Sequence, residues 1–225
     1  MDAIIFDFDG VLLESEYEGN RNIAELLTEL GHPTKVEEAL THFSGLNGLD
    51  FVAAIEARIG TTLPPEFHDK RRVEDRRVLR EGLAAVAGAV EFVRSLPLDL
   101  PKAVASSSSV RWIATHLDHL GLRDAFGDHL YSGGQHVERG KPAPDLYLYA
   151  AAQLEVPIAD CVIIEDSPVG ARGALASGGR VIGLVAGTHC LPGHDDRLRA
   201  LGVREIAYSF DDVRRLIGLG EVPAF

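Results

Sequence analysis

Short apolar runs with many β-branched residues recur along this chain, at Ala3 to Phe8, Lys102 to Ala105, His129 to Tyr131, Val162 to Ile164 and Arg180 to Val185. Between the later runs the apolar residues take helical spacing. Ile113, Leu117 and Leu120 mark Val110 to Leu120, and Leu146, Tyr149, Ala150 and Leu154 mark Asp145 to Leu154. Near-continuous apolar strands need cover on both faces, and helices returning between parallel strands supply it. The pattern therefore predicts an α/β fold: a doubly wound, Rossmann-like parallel sheet. In such sheets ligands bind outside the carboxyl ends of the strands.

The alternation breaks once. From about Glu16 to about Leu83 there are amphipathic helical segments instead of strands: Ile23, Leu26, Leu27 and Leu30, then Phe51, Ala54, Ile55 and Ile59, then Phe67 to Leu83. A structureless loop of that length would be unusual inside a compact domain. The expected organisation is an α/β core of residues 1–15 and 84–225 with an inserted helical domain at 16–83. Hinges are expected near Leu13 to Glu16 and near Glu81 to Ala85.

The first run, Ile4-Ile5-Phe6-Asp7-Phe8-Asp9-Gly10, ends in two carboxylates and a glycine. Side chains two apart along a strand share a face, and two close carboxylates repel unless a proton or a cation intervenes. Three other strand ends or loops carry polar groups. Ser106-Ser107-Ser108 follows the second run, with hydroxyls and backbone N–H groups at a helix start, a place suited to anions. Gly140-Lys141-Pro142-Ala143-Pro144-Asp145 puts a cation just before a helix, and Glu165-Asp166-Ser167 ends the fourth run. Each segment alone has an ordinary reading: solvated acids at a turn, serine N-capping, a surface lysine. Together they offer carboxylates to Mg²⁺, which keeps room for waters and substrate oxygens. They also offer a lysine and serine amides to a phosphate, the combination that phosphoryl transfer needs.

In order and wording these segments, Asp7-x-Asp9-Gly10, Ser106, Lys141-Pro142 and Glu165-Asp166, resemble the haloacid dehalogenase superfamily. The helical insert resembles that of its helical-cap branch, which includes β-phosphoglucomutases and sugar-phosphate phosphatases. The resemblance spans nearly the whole chain and makes 16–83 the cap. It implies that Asp7 is the nucleophile, forming an aspartyl phosphate, and that Asp9 protonates the leaving oxygen and then deprotonates water. It implies Mg²⁺ held by the Asp7 carboxylate, the Asp9 carbonyl and Asp166, with Glu165 beside it or acting through water. Ser106, with Ser107 beside it, and Lys141 would bind the transferring phosphoryl group.

Asp9 argues against a dehalogenase, which lacks that second acid and needs no metal. Gly19 stands where the related mutases carry a cap histidine, and the loop Phe43 to Gly48 lacks their arginine. Both departures favour transfer to water: an Mg²⁺-dependent phosphatase acting on a sugar phosphate or phosphorylated sugar acid. A phosphosugar mutase is the enzymatic alternative, and a non-catalytic binding or regulatory protein on the same fold is the alternative of another class. Glu14 replaces the family's usual aspartate.

The remaining features limit partners and location. A formal net charge of −12 over 225 residues disfavours nucleic-acid and acidic-membrane partners, so a small phosphomonoester is the expected partner. Cys161 and Cys190 provide no disulfide framework. The start has no basic region followed by a long apolar stretch, and no apolar run is long enough to span a bilayer. A cytoplasmic monomer is the default expectation. The bases of the segment Lys70 to Arg80 interleave with acids, which predicts a solvated face of i,i+4 pairs in preference to an anion site. His189, Cys190 and His194 are expected in a polar loop in preference to a zinc site, and His116 and His119 at the surface.

Overall fold

A computed structural model describes residues 1–44, 46 and 48–220. Gly45 and Asn47, within the loop compared above with the mutases, lie outside the described residues. The chain divides into two compact units: Met1–Glu14 with the chain from Ala84 onward, and Ser15–Leu83.

Among the described residues the first unit contains six strands, β1 (Ala3–Phe6), β2 (Lys102–Ser106), β3 (Leu130–Ser132), β4 (Cys161–Glu165), β5 (Arg180–Leu184) and β6 (Glu205–Ala207). They form one parallel sheet in the order β3-β2-β1-β4-β5-β6. Every residue of β1, β2 and β4 is buried, as the apolar runs that fill β1 and the middles of β2 and β4 require. Ile5 and Phe6 face opposite ways. Ile5 joins Ala103, Ala105, Leu146, Tyr147, Ala150, Ile163, Ala171 and Ala174 in one core. On the other side Phe6 meets Phe126 and Phe92 edge-on, with centroids 5.7 and 6.2 Å apart.

The sheet reverses its winding beside β1, the place where α/β folds open a crevice. Phe6 is in register with Val104 of β2 and Ile164 of β4, so Ala105 and Ser106 of β2 and Glu165 of β4 run on past the end of β1, alongside Asp7. Asp7 N–H donates to the Ile164 carbonyl at 2.9 Å, carrying the ladder one residue further.

The helices of the second unit are α1 (Ser15–Glu29), α2 (Val36–Phe43), α3 (Gly48–Ile59) and α4 (Pro65–Glu81). Ile23, Leu27, Phe43, Phe51, Ile55 and Phe67 form their own core. Sequence spacing locates α1, α3 and α4 but leaves out the eight-residue α2, whose buried Ala39, Leu40 and Phe43 share one face over a span shorter than the window in which helical spacing is judged. Along α4, Lys70 pairs with Glu66 and Glu29, Arg72 with Asp69, and Arg77 with Glu74 and Glu81. Arg71 lies over the Phe51 ring at 4.3 Å. This is the pairing expected of a solvated helix face.

Helices α5 (Ala89–Ser95), α6 (Val110–Leu120), α7 (Arg123–Phe126), α8 (Gly133–His136), α9 (Asp145–Gln153), α10 (Pro168–Ser177), α11 (His194–Ala200) and α12 (Phe210–Leu216) complete the first unit. Ser109 caps α6 by accepting from Trp112 N–H at 3.2 Å, and Gly121 closes it at φ 63°. His119 is exposed, but His116 is fully buried, which corrects the surface placement read from the sequence. The reason is helical phase. His116 lies three residues after Ile113 and beside Leu117, on the covered face of α6. Neither ring nitrogen has a hydrogen-bond partner among the described residues, and burial holds its pKa below the usual histidine value. No helix among the described residues is long and apolar enough to cross a membrane.

At the sheet edge, Arg180 of β5 grips both carboxylate oxygens of Glu205 of β6 at 2.8 and 2.7 Å, and also the Leu216 carbonyl at 2.7 Å. The hydrogen bonds from Arg180 hold the Glu205 carboxyl below its ordinary value. A depressed carboxyl pKa stabilises the fold above the unfolded value, about 4.3, and that stabilisation is lost as pH falls through the folded value. Because the pair is partly exposed, Glu205→Gln is expected to cost only about 0.5 kcal/mol at pH 7. In urea titrations the difference from wild type should shrink as pH falls below about 4.3 and through the lower folded value.

Candidate active site

Asp7 follows β1, Ser106 ends β2, and Glu165 and Asp166 close β4, so strand register alone brings these groups to one edge of the sheet. Lys141 arrives from the loop before α9. Its Nζ donates to Asp7 Oδ1 and to Glu165 Oε1, each at 2.6 Å, and its side chain is 4% exposed. Glu165, wholly buried, also accepts from Tyr147 Oη at 2.7 Å and from Ser167 N and Oγ at 3.0 and 3.1 Å. Its acceptor capacity is essentially filled. Asp166 differs. His189 Nε2 meets its Oδ2 at 2.8 Å, while its buried Oδ1 has no hydrogen-bond partner among the described residues.

The carboxylates of Asp7, Glu165 and Asp166 offer ligand atoms within 4.8 Å of one another, all buried. One ammonium faces three carboxylates there, which leaves about two negative charges uncompensated if all are ionised. Burial above all, with Glu165 adding repulsion, pushes the carboxyls of Asp7 and Asp166 well above the ordinary range. Burial pulls Lys141 down, but Asp7 and Glu165 outweigh it and hold the ammonium charged. The Asp7 carboxylate, an orphaned buried oxygen on Asp166 and a deficit of positive charge, with the saturated Glu165 behind them, fit a divalent cation such as Mg²⁺.

Asp9 sits apart from that cluster of acids, in a ring of donors. Ser106 Oγ and Ser108 Oγ donate to its Oδ2 at 3.2 and 2.6 Å, and Trp112 Nε1 donates to its Oδ1 at 3.0 Å. Ser108 N–H in turn donates to Ser106 Oγ at 3.0 Å. Trp112 packs against buried His116 in a T-shaped pair, with ring centroids 4.3 Å apart. Of the residues read from the sequence, Asp7, Lys141, Glu165 and Asp166 share one cluster and Ser106 shares a second with Asp9, whereas Ser107 is exposed. Ser108, Trp112, Tyr147 and His189 escaped the sequence reading as site residues. Ser108 lies inside a marked segment and His189 in the triad read as a polar loop, but nothing local distinguishes Trp112 and Tyr147 from core or loop side chains.

The haloacid dehalogenase-like hydrolase family matches residues 1–178. The chain belongs to that family. Haloacid dehalogenase-like relatives resemble it along most of its length. A phosphorylated carbohydrates phosphatase of Thermotoga maritima is 32% identical over 196 residues, covering 82% of this chain and 86% of its own. A 6-phosphogluconate phosphatase of Escherichia coli is 28% identical over 193 residues, covering 85% and 86%. Among solved structures, a HAD family hydrolase of Deinococcus radiodurans with bound phosphate and sodium superposes with a TM-score of 0.83 at 32% identity, covering 100% of this chain and 99% of that one. The chain is thus a hydrolase of the haloacid dehalogenase type, with the parallel α/β core of its relatives.

Two glycines give this hydrolase's acids their space. A Cβ on Gly10, which has φ 83°, would fall 2.2 Å from Asp166 Oδ2, and one on Gly170 would fall 1.7 Å from Glu165 Oε1. Gly170→Ala must therefore displace Glu165 and its bond to Lys141. We expect a loss of about 1–3 kcal/mol in urea denaturation, the usual cost of overpacking.

Proposed function

We propose that this hydrolase is a phosphatase that cleaves a small phosphorylated metabolite, a sugar phosphate or a phosphorylated sugar acid, with Mg²⁺ as cofactor. The observation that carries the reading is the buried bridge from Lys141 to Asp7 and Glu165 beside the unpartnered Oδ1 of Asp166. It keeps Asp7 beside a fixed positive charge while leaving an oxygen for a cation. In this reading residues 1–15 and 84–225 are the catalytic core and 16–83 the cap.

Asp7 attacks phosphorus, and the bond to the leaving oxygen breaks as Asp9 delivers a proton to that oxygen. Asp9, now a carboxylate, takes a proton from water, whose oxygen displaces Asp7 and releases inorganic phosphate. Lys141 neutralises charge on Asp7 and on the transferring group. Ser106 exchanges its bond to Asp9 for one to a phosphoryl oxygen, with Ser107 beside it. Asp7, Asp166 and the Asp9 carbonyl would hold Mg²⁺, with Glu165 behind them. When bound, Mg²⁺ supplies Lewis-acid stabilisation of the phosphoryl oxygens. The names of the two phosphatase relatives support a phosphorylated sugar or sugar acid as substrate. Gly19, in place of the mutases' histidine, supports water as the acceptor.

The test is free-phosphate release from a panel of sugar, sugar-acid and polyol phosphates, with Mg²⁺ or with chelator. Metal-dependent release should disappear in Asp7→Asn and fall roughly 10²–10⁴-fold in Asp9→Asn. Release that survives Asp7→Asn would sink the nucleophile assignment. An isomerised sugar phosphate formed without free phosphate would establish the mutase instead.

A further inference from the structure

The loop after β5 carries His189, Cys190 and His194, whose ligand atoms also lie within 4.8 Å of one another. As a soft-metal site this cluster is poorly placed, because His194 has both nitrogens engaged. Its Nε2 meets the Asp166 backbone carbonyl at 2.6 Å, and its Nδ1 meets Arg197 at 2.9 Å. Both histidines point at one residue, Asp166, which His194 engages through the main chain and His189 through the carboxylate.

We infer that His189 is a positioning residue: its Nε2–H holds Oδ2 of Asp166 so that Oδ1 alone is presented to the cation. The inference rests on the metal reading proposed above. A carboxylate that binds a cation is ionised and can only accept, so the proton of the 2.8 Å contact lies on Nε2. With Oδ2 so engaged, Asp166 offers one oxygen, and Oδ1 is the buried atom left without a partner. Hydrogen bonds behind metal-ligating carboxylates fix their orientation in this way.

The surroundings hold the imidazole as tightly as the imidazole holds Asp166. Cβ atoms built on Gly10 and Gly187 would fall 2.9 and 2.6 Å from His189 Cε1, so the ring fills a slot that only glycines leave open. The preceding residue, Thr188, is tied to Glu14, donating to Glu14 Oε2 from N at 3.1 Å and from Oγ1 at 2.7 Å. Glu14, the residue that departs from the family's aspartate, thus anchors the loop that carries His189. Both His189 and Asp166 are almost fully buried, so water does not compete for their contact.

The test measures binding of Mn²⁺ alone, by the electron paramagnetic resonance signal of the free ion, to wild type, His189→Ala, His189→Gln and Asp166→Asn. His189→Ala should weaken Mn²⁺ binding roughly 10–100-fold. His189→Gln, which keeps a donor, should recover most of that loss. Equal weakening in the Ala and Gln variants would mean that packing matters and the hydrogen bond does not, and would overturn the inference. So would wild-type affinity in His189→Ala when Asp166→Asn has lost the ion. Wild-type affinity in Asp166→Asn would remove the metal reading itself, and the inference with it.

Discussion

The double contact of one buried ammonium with two buried carboxylates is the interaction around which the rest of the site is arranged. Lys141 touches Asp7 and Glu165 at 2.6 Å each, in a place where an unpaired charge of either sign would be prohibitive. The bridge links the loop before α9 to the ends of β1 and β4. Tyr147 and Ser167 saturate Glu165, making it a fixed counter-charge, and Asp166 is left as the acid with an open oxygen. Truncating either end of such a buried pair leaves an uncompensated charge, so its members depend on one another.

Parallel pairing explains why these residues meet. Since every strand runs the same way, the carboxyl ends of β1, β2 and β4 lie along one edge, and the reversal of winding beside β1 opens the space between them. The site therefore requires little specialised backbone beyond glycines where a side chain must come close. Asp7 and Asp9, two residues apart, are sent to different environments: Asp7 to a lysine and two acids, Asp9 to two hydroxyls and an indole. A strong cationic partner for one and neutral donors for the other suits two carboxylates with different tasks.

The strand runs, the α6 span and the acids at the strand ends are readable from residue order because they depend on local periodicity and on the ends of buried segments. The short α2 and β6 are not: α2 is shorter than the window over which helical spacing is judged, and two of the three residues of β6 are only partly buried, so it carries little apolar signal. His116 was misplaced for a related reason: a polar residue on the apolar phase of a helix is buried with that face whatever its own preference. Trp112 carries no local mark, and the triad that marks His189 points to a metal and not to Asp166; their importance comes from what they meet, which lies 103 residues away for Trp112 and Asp9.

By itself the sequence determined the parallel α/β class, the helical insertion, the haloacid dehalogenase resemblance and the set of acids, serine and lysine. These follow from short-range patterns and from ordered motifs. Only the tertiary structure decided which oxygen is spoken for. It gave Glu165 to Lys141, Tyr147 and Ser167, Asp166 Oδ2 to His189, and the Ser106 and Ser108 hydroxyls to Asp9. The physical reason is that a hydrogen bond depends on ångström distances between groups far apart in the chain, and sheet register and loop packing set those distances where residue order does not.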